Sequence, residues 1–212
     1  LIIVMSVMNG FRSELINKIV GFNAHVTVKP YENPIDEKKL KNINLKSISK
    51  EIIFSNSGEA IVIKTKYTKG IVLRGYRKND FSKLDLVNNK HFIGDANNLT
   101  KNNISIGKEL SFNLNLRIGD KLTIMSPSGI GTIIGNLPKQ ESFIINSIFD
   151  SGLADFDQNV AFININSLES LFDINKKDRN LEIYLKDPVN IETNKLIVQK
   201  IFNMVKIIGS KL

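Results

Sequence analysis

The chain has 212 residues, 42% of them hydrophobic and 24% charged, which suits one large or two small domains with real cores and excludes wholesale disorder. Its 29 basic and 21 acidic residues give a net charge of +8; a nucleic-acid partner would want basic residues gathered beside aromatic platforms, and the order of the basic residues here reads instead as a soluble basic surface. There is no cysteine, so a disulfide scaffold, a zinc ribbon and a thiol nucleophile are all excluded.

The chain opens LIIVMSVMNG. Val4, Met8, Phe11, Leu15 and Ile19 recur at spacings of three and four, predicting a helix that starts apolar all round, turns amphipathic and stops near Gly21. Leu1 to Met8 fall far short of the roughly 20 residues that cross a bilayer. They read as the last turns of a spanning helix. With the apolar close IFNMVKIIGSKL, they predict a domain lying between two membrane spans.

AHVTVKP alternates and ends at Pro30, predicting a strand. The polar stretch from Glu37 to Lys50 holds a short helix on Leu40 and Ile43. EAIVIKT and KGIVLRG are two strands with a turn at Tyr67-Thr-Lys. From Lys64 to Lys83 seven Lys or Arg face one acid, Asp80, which suggests a solvated strand face and its turn. Asn88 to Asn103 has no clear period. A strand at Ile104, a helix over Lys108 to Asn113, a Gly119-Asp120 turn and a strand from Lys121 to Ser126 follow. SFIINSIFD is the return strand, LADFDQN a turn, VAFINI a strand, NSLESLF a helix and LEIYLKD a strand. Ile197, Ile201, Val205 and Ile208 space out a closing helix. Two halves of βαβ character flanking a β-rich insert make the class α+β.

The connection after Ser126 is unusual. Sixteen residues precede Phe143, with Pro127 and Pro138 at the shoulders, glycine at 129, 131 and 135, and Ile130, Ile133, Ile134 and Leu137 between. Strand connections are usually two to five polar residues. Two readings stand: isoleucines that pack back on the insert's own core, or a glycine-hinged projection whose aliphatic residues contact a partner.

Nothing in the sequence supports an enzyme, and no cofactor or metal is expected. The glycines run G-x-G-x-x-x-G before a strand, which is not a nucleotide loop. His25 and His91 lie far apart without carboxylates at ligand spacing. Ser128 lacks the nucleophile elbow G-x-S-x-G, and Asp155 with Asp157 has no third acid nearby.

VMSVMNGFRSELINKIVG running into HVTV resembles the segment after the first membrane helix of lipoprotein-releasing permeases, the LolC/LolE family. VLRGYRKNDF, IGKELSFNLNLRIGDKLTIMSPSG and FIINSIFDSGLADFDQNVAFI extend the likeness over most of the chain. The resemblance implies a MacB-like periplasmic domain of an inner-membrane ABC transporter permease. Its porter-like part of two βαβ units would occupy residues 23–74 and 150–208. A β-rich insertion would fill 75–149, and residues 1–22 would be the periplasmic end of the first membrane helix with its extension. It further implies a second permease subunit, a separate cytoplasmic ATPase subunit, a lipoprotein substrate and a periplasmic lipoprotein chaperone. A hairpin over 127–142 would be the hook that grips the chaperone through Ile130, Thr132, Ile133, Ile134, Gly135, Asn136, Leu137 and Pro138. Ile133-Ile134 stand where a Pro-Met pair is typical, which keeps apolar anchoring and gives up the rigidity of an apical proline. Val4, Met8 and Phe11 would lip the lipoprotein cavity. The resemblance leaves open a LolC-type, LolE-type or hybrid member. An alternative is the coupling domain of a MacB-like efflux permease that contacts a periplasmic adaptor.

Overall fold

The computed structural model describes residues 23–31, 33–64, 67–88, 92–132, 135–202 and 206–209. The predicted first helix lies outside these residues, and with it Val4, Met8 and Phe11, as do His91, Ile133, Ile134 and Val205.

The chain begins with strand β1 (Val26–Lys29), a 3-10 turn (Glu37–Lys41) and helix α1 (Ile43–Ile48). Asn42 caps α1, its side chain accepting from Asn44 N and Leu45 N. Two long strands, β2 (Ser49–Lys64) and β3 (Tyr67–Tyr76), form an antiparallel hairpin. The expected turn at Tyr67-Thr-Lys is therefore corrected: these residues pair with Lys64, Ile63 and Val62 inside the ladder. β2 also begins ten residues earlier than Glu59, because SKEIIFSNSG is held by side-chain partners distant in sequence. Short helices α2 (Lys78–Phe81) and α3 (Asp85–Asn88) lead to β4 (Phe92–Gly94), β5 (Asn103–Gly107) and α4 (Lys108–Asn113). Strands β6 (Lys121–Thr132) and β7 (Gly135–Phe149) follow, then α5 (Ala154–Asn159), β8 (Val160–Asn164) and α6 (Ile165–Phe172). The last elements are β9 (Asn180–Leu185), α7 (Ile191–Ile201) and β10 (Lys206–Gly209).

Two more expectations are corrected. LADFDQN is a helical turn, α5, whose Asp157 is buried against Ser151. The closing helix stops at Ile201, and Ile208 sits in β10 opposite Thr27. Its three- and four-residue spacing from Ile201 is overridden by a free edge of β1 that offers a ladder.

Nine strands run in the order β10-β1-β9-β2-β3-β8-β5-β7-β4, and β6 bridges β2 and β7, which joins all ten into one sheet. Pairing is mixed: β3 with β8 and β5 with β7 are parallel, and the rest antiparallel. The α+β class follows. One core packs Leu45, Val198 and Phe202 against Val26, Phe54, Leu181 and Ile183. A second places Leu168 and Leu171 of α6 over Val62, Leu73, Ile124 and Phe143. A third gathers Tyr76, Phe81, Phe149 and Phe162, with ring centroids 5.1–6.2 Å apart among them.

Candidate interaction sites

Strands β6 and β7 form the ribbon that carries the candidate hook. From Lys121 to Ser126 the rungs are regular, ending on Ser126 opposite Lys139. Pairing resumes with Ile130 opposite Leu137, then Gly131 opposite Asn136 and Thr132 opposite Gly135. Pro127, Ser128 and Gly129 thus face a single residue, Pro138, across the irregularity. Proline has no N–H to give to a ladder, so both prolines fall where the ladder is broken. The sixteen-residue connection is therefore mostly strand, and only residues 133–134 separate β6 from β7.

Two features make the ribbon project. Its base is held, since β6 pairs with β2 only at Ile61–Ile63 and β7 with β5 from Ile144 onward. Lys139 Nζ also donates to Ser170 O at 2.7 Å on α6. Among the described residues, the rungs from Ser126 to Thr132 and from Gly135 to Lys139 pair only with each other. Ile130, Thr132, Gly135, Asn136, Leu137 and Pro138 lie on this outer ribbon; Ile133 and Ile134 are outside the described residues.

Strand β9 holds a feature that the sequence reading missed. Glu182 on β9 is buried, and accepts from Ser55 Oγ (2.7 Å), Tyr76 Oη (2.9 Å), Tyr184 Oη (2.9 Å) and Arg74 Nη2 (3.1 Å). Burial pushes its carboxyl up, but Arg74 and the three hydroxyl donors more than offset this and hold it below the ordinary range. Burial and the neighbouring carboxylate push both tyrosines up, so they stay neutral donors. Arg74, expected on a solvated basic face, is instead the counter-ion of this network. A smaller network joins Glu169 of α6 to Arg179 at 2.6 Å and to Asn56 at 3.2 Å. His25 Nδ1 accepts from Leu185 N at 2.7 Å, a structural role.

Above Glu182 lies an open cavity of about 380 Å³ rimmed by Thr27, Lys29, Ser57 and Asn180. Next to it, toward the ribbon's base, a second of about 400 Å³ is bounded by Glu59, Ile61, Gly70 and Pro127. Val72 lines both. Among the described residues no group of three His, Asp or Glu side chains converges on a metal site, and no helix is long and apolar enough to cross a membrane.

No family model matches the chain. Curated relatives do. The chain is 26% identical over 202 residues to the lipoprotein-releasing system transmembrane protein LolC of Neisseria meningitidis serogroup B, covering 90% of the chain and 47% of that protein. Against LolC of Buchnera aphidicola subsp. Acyrthosiphon pisum the identity is 30% over 213 residues, covering 92% and 49%. Among solved structures it is similar to the periplasmic region of MacB from Actinobacillus actinomycetemcomitans. That match has a TM-score of 0.48 and 10% identity, over 92% of this chain and 94% of that one. The extracellular domain of the ABC-type transporter YknZ from Gram-positive bacteria gives a TM-score of 0.45 at 13% identity, over 86% and 100%. The chain spans about half the length of the curated relatives it matches. Along nine-tenths of its length, then, the chain is similar to a region of the lipoprotein-releasing transmembrane proteins LolC.

Proposed function

We propose that this chain is the periplasmic domain of an inner-membrane ABC transporter permease that releases lipoproteins and hands them to a periplasmic chaperone, with the β6–β7 ribbon docking that chaperone. A second permease subunit and a separate cytoplasmic ATPase complete the assembly, so ATP chemistry lies outside this chain. The single observation that carries the docking role is the ribbon's outer ladder, which pairs only with itself among the described residues and has aliphatic residues at its end. A two-stranded ribbon gains little stability alone. Extending one away from the sheet makes physical sense if a partner covers it.

Burying Ile133 and Ile134 in a partner's apolar groove is worth roughly 1.5–3 kcal/mol each. Ile133→Asp with Ile134→Asp is therefore expected to weaken chaperone binding by about a hundredfold or more. Replacing residues 129–137 by a two-residue turn is expected to do the same and to leave the fold intact, because the sheet ends at the stem. Surface plasmon resonance of purified domain against purified chaperone measures the first, and circular dichroism of each variant the second. Unchanged affinity in folded variants would remove the hook from the mechanism.

A further inference from the structure

At the base of the ribbon the strands close into a ring. β2, β3, β8, β5, β7 and β6 pair in turn and β6 returns to β2, enclosing the core beneath α6. The ring has a gap. β7 pairs with β5 only from Ile144 onward on this side, so Lys139 to Phe143 have β6 on one edge and, among the described residues, no strand on the other.

Lys139 ties this free stretch to α6. Its Nζ donates to Ser170 O at 2.7 Å and to Ser170 Oγ at 3.1 Å. Ser170 lies in the last turn of α6, where carbonyls lack helical donors and the helix dipole favours a cation. α6 is itself fixed to the body, by Glu169 on Arg179 and by Ser167 Oγ, which donates to Lys101 O at 2.7 Å. Lys139 also forms the last regular rung, opposite Ser126, before the ladder breaks at Pro127 and Pro138. It therefore fixes the footing from which the outer ribbon springs.

The same ammonium has a second acceptor beside it. Glu141, two residues further along β7, points to the same face about 7 Å away, within reach of a lysine stem. Its Oε2 is buried without a hydrogen-bond partner. Burial pushes its carboxyl up, and the charge of Lys139 opposes that rise. A buried carboxylate oxygen without a donor costs free energy, and so does a helix-end carbonyl that loses its cation. Lys139 stands between two acceptors, and in the arrangement described it serves α6.

We propose that Lys139 is a latch that positions the chaperone-docking ribbon: with its ammonium on Ser170 the base of the ribbon is clamped to α6, and with its ammonium on Glu141 the base is released. The proposal rests on the function proposed above and supplies its control. The clamped ribbon is preorganised and holds the chaperone tightly; the released ribbon must be ordered again on binding and holds it weakly.

The chain has no native cysteine, so spin labels on Asn136→Cys in the ribbon and Lys177→Cys in the body report the ribbon's position by double electron–electron resonance, without chaperone. The expected distance distribution is narrowest for Glu141→Gln, broadest for Lys139→Met, and alike for wild type and Lys139→Arg, which keeps a donor for α6. Chaperone affinity of the unlabelled chains, by surface plasmon resonance, is expected to fall about tenfold in Lys139→Met, to hold in Lys139→Arg and to rise about twofold in Glu141→Gln, as for a change in preorganisation. Circular dichroism checks each fold, and Glu141→Gln decides alone if Lys139→Met does not fold. Equal distributions in the folded variants overturn the latch even where affinity falls, since Lys139 then touches the chaperone directly. Altered distributions with unchanged affinity overturn its control of docking and leave the proposed function standing. A wild-type chain that does not bind the chaperone overturns both.

Discussion

Glu182 shows how much of this fold hangs on one side chain. It is buried with four donors around it, and Arg74 has been taken out of water to meet it. Removing one partner of a buried pair strands the other charge, at a cost of about 3–5 kcal/mol. Glu182→Ala is expected to lose that much stability at pH 7 in urea unfolding. Glu182→Gln keeps an acceptor and isolates the charge. Because the folded carboxyl lies below its ordinary value of 4.5, its contribution is complete above that pH and is lost as pH falls through the lower folded value. The stability gap between wild type and Glu182→Gln therefore narrows as pH drops below 4.5, read from denaturation at successive pH values. A gap independent of pH would mean the carboxylate charge does not stabilise the fold.

At the scale of elements, β5 and α5 approach each other closely at Gly107. A Cβ placed on Gly107 would lie 2.0 Å from the Asp157 carbonyl oxygen, a backbone atom that moves only if α5 moves. Ser151 pins α5 in place, its N donating at 3.1 Å to each carboxylate oxygen of Asp157. Gly107→Ala forces these elements apart. It is expected to lower stability by about 2–3 kcal/mol, in the upper part of the range for overpacking, measured by thermal or urea melts. Gly70 also sits in a strand, but a Cβ there meets nothing within 4 Å. Gly70→Ala is the matched control, with a change below about 0.5 kcal/mol. Equal losses at the two glycines would point to strand propensity rather than to the contact with α5.

At the scale of the whole molecule, one sheet joins the cores. β3 gives Leu73 to the core beneath α6 and Tyr76 to the aromatic core on the opposite face, and β8 divides Ala161 and Phe162 in the same way. Neither core can open without tearing strands that the other needs. Urea unfolding is expected to follow a single transition, coincident by far-ultraviolet circular dichroism and by tyrosine fluorescence. Two separated transitions would show that the sheet breaks into independent units.

How far the sequence was legible follows from where each signal comes from. Alternation in AHVTVKP placed β1, the apolar run VAFINI placed β8 and the apolar residues of NSLESLF placed α6, because apolar patterning is a local imprint of a buried face. The first half of β2 gave no such imprint. Its Ser55 and Asn56 are buried by bonding Glu182 and Glu169, 127 and 113 residues away, and no local pattern announces such partners. Arg74 looked solvated for the same reason. Ile208 fitted a helix by spacing and became a strand through the edge of β1.

The glycines, prolines and isoleucines of residues 127–138 marked an unusual strand connection from sequence alone. That most of them lie in two strands, with the ladder broken where both prolines fall, required the register of β6 on β7. The sequence by itself determined the α+β class, most of the helices and strands, and where the hairpin stands in the chain, since these rest on short-range pattern and turn chemistry. The ion network under the open face, the cavities above it and the joining of ten strands into one sheet were decided by tertiary structure, because each depends on pairings between residues far apart in the chain.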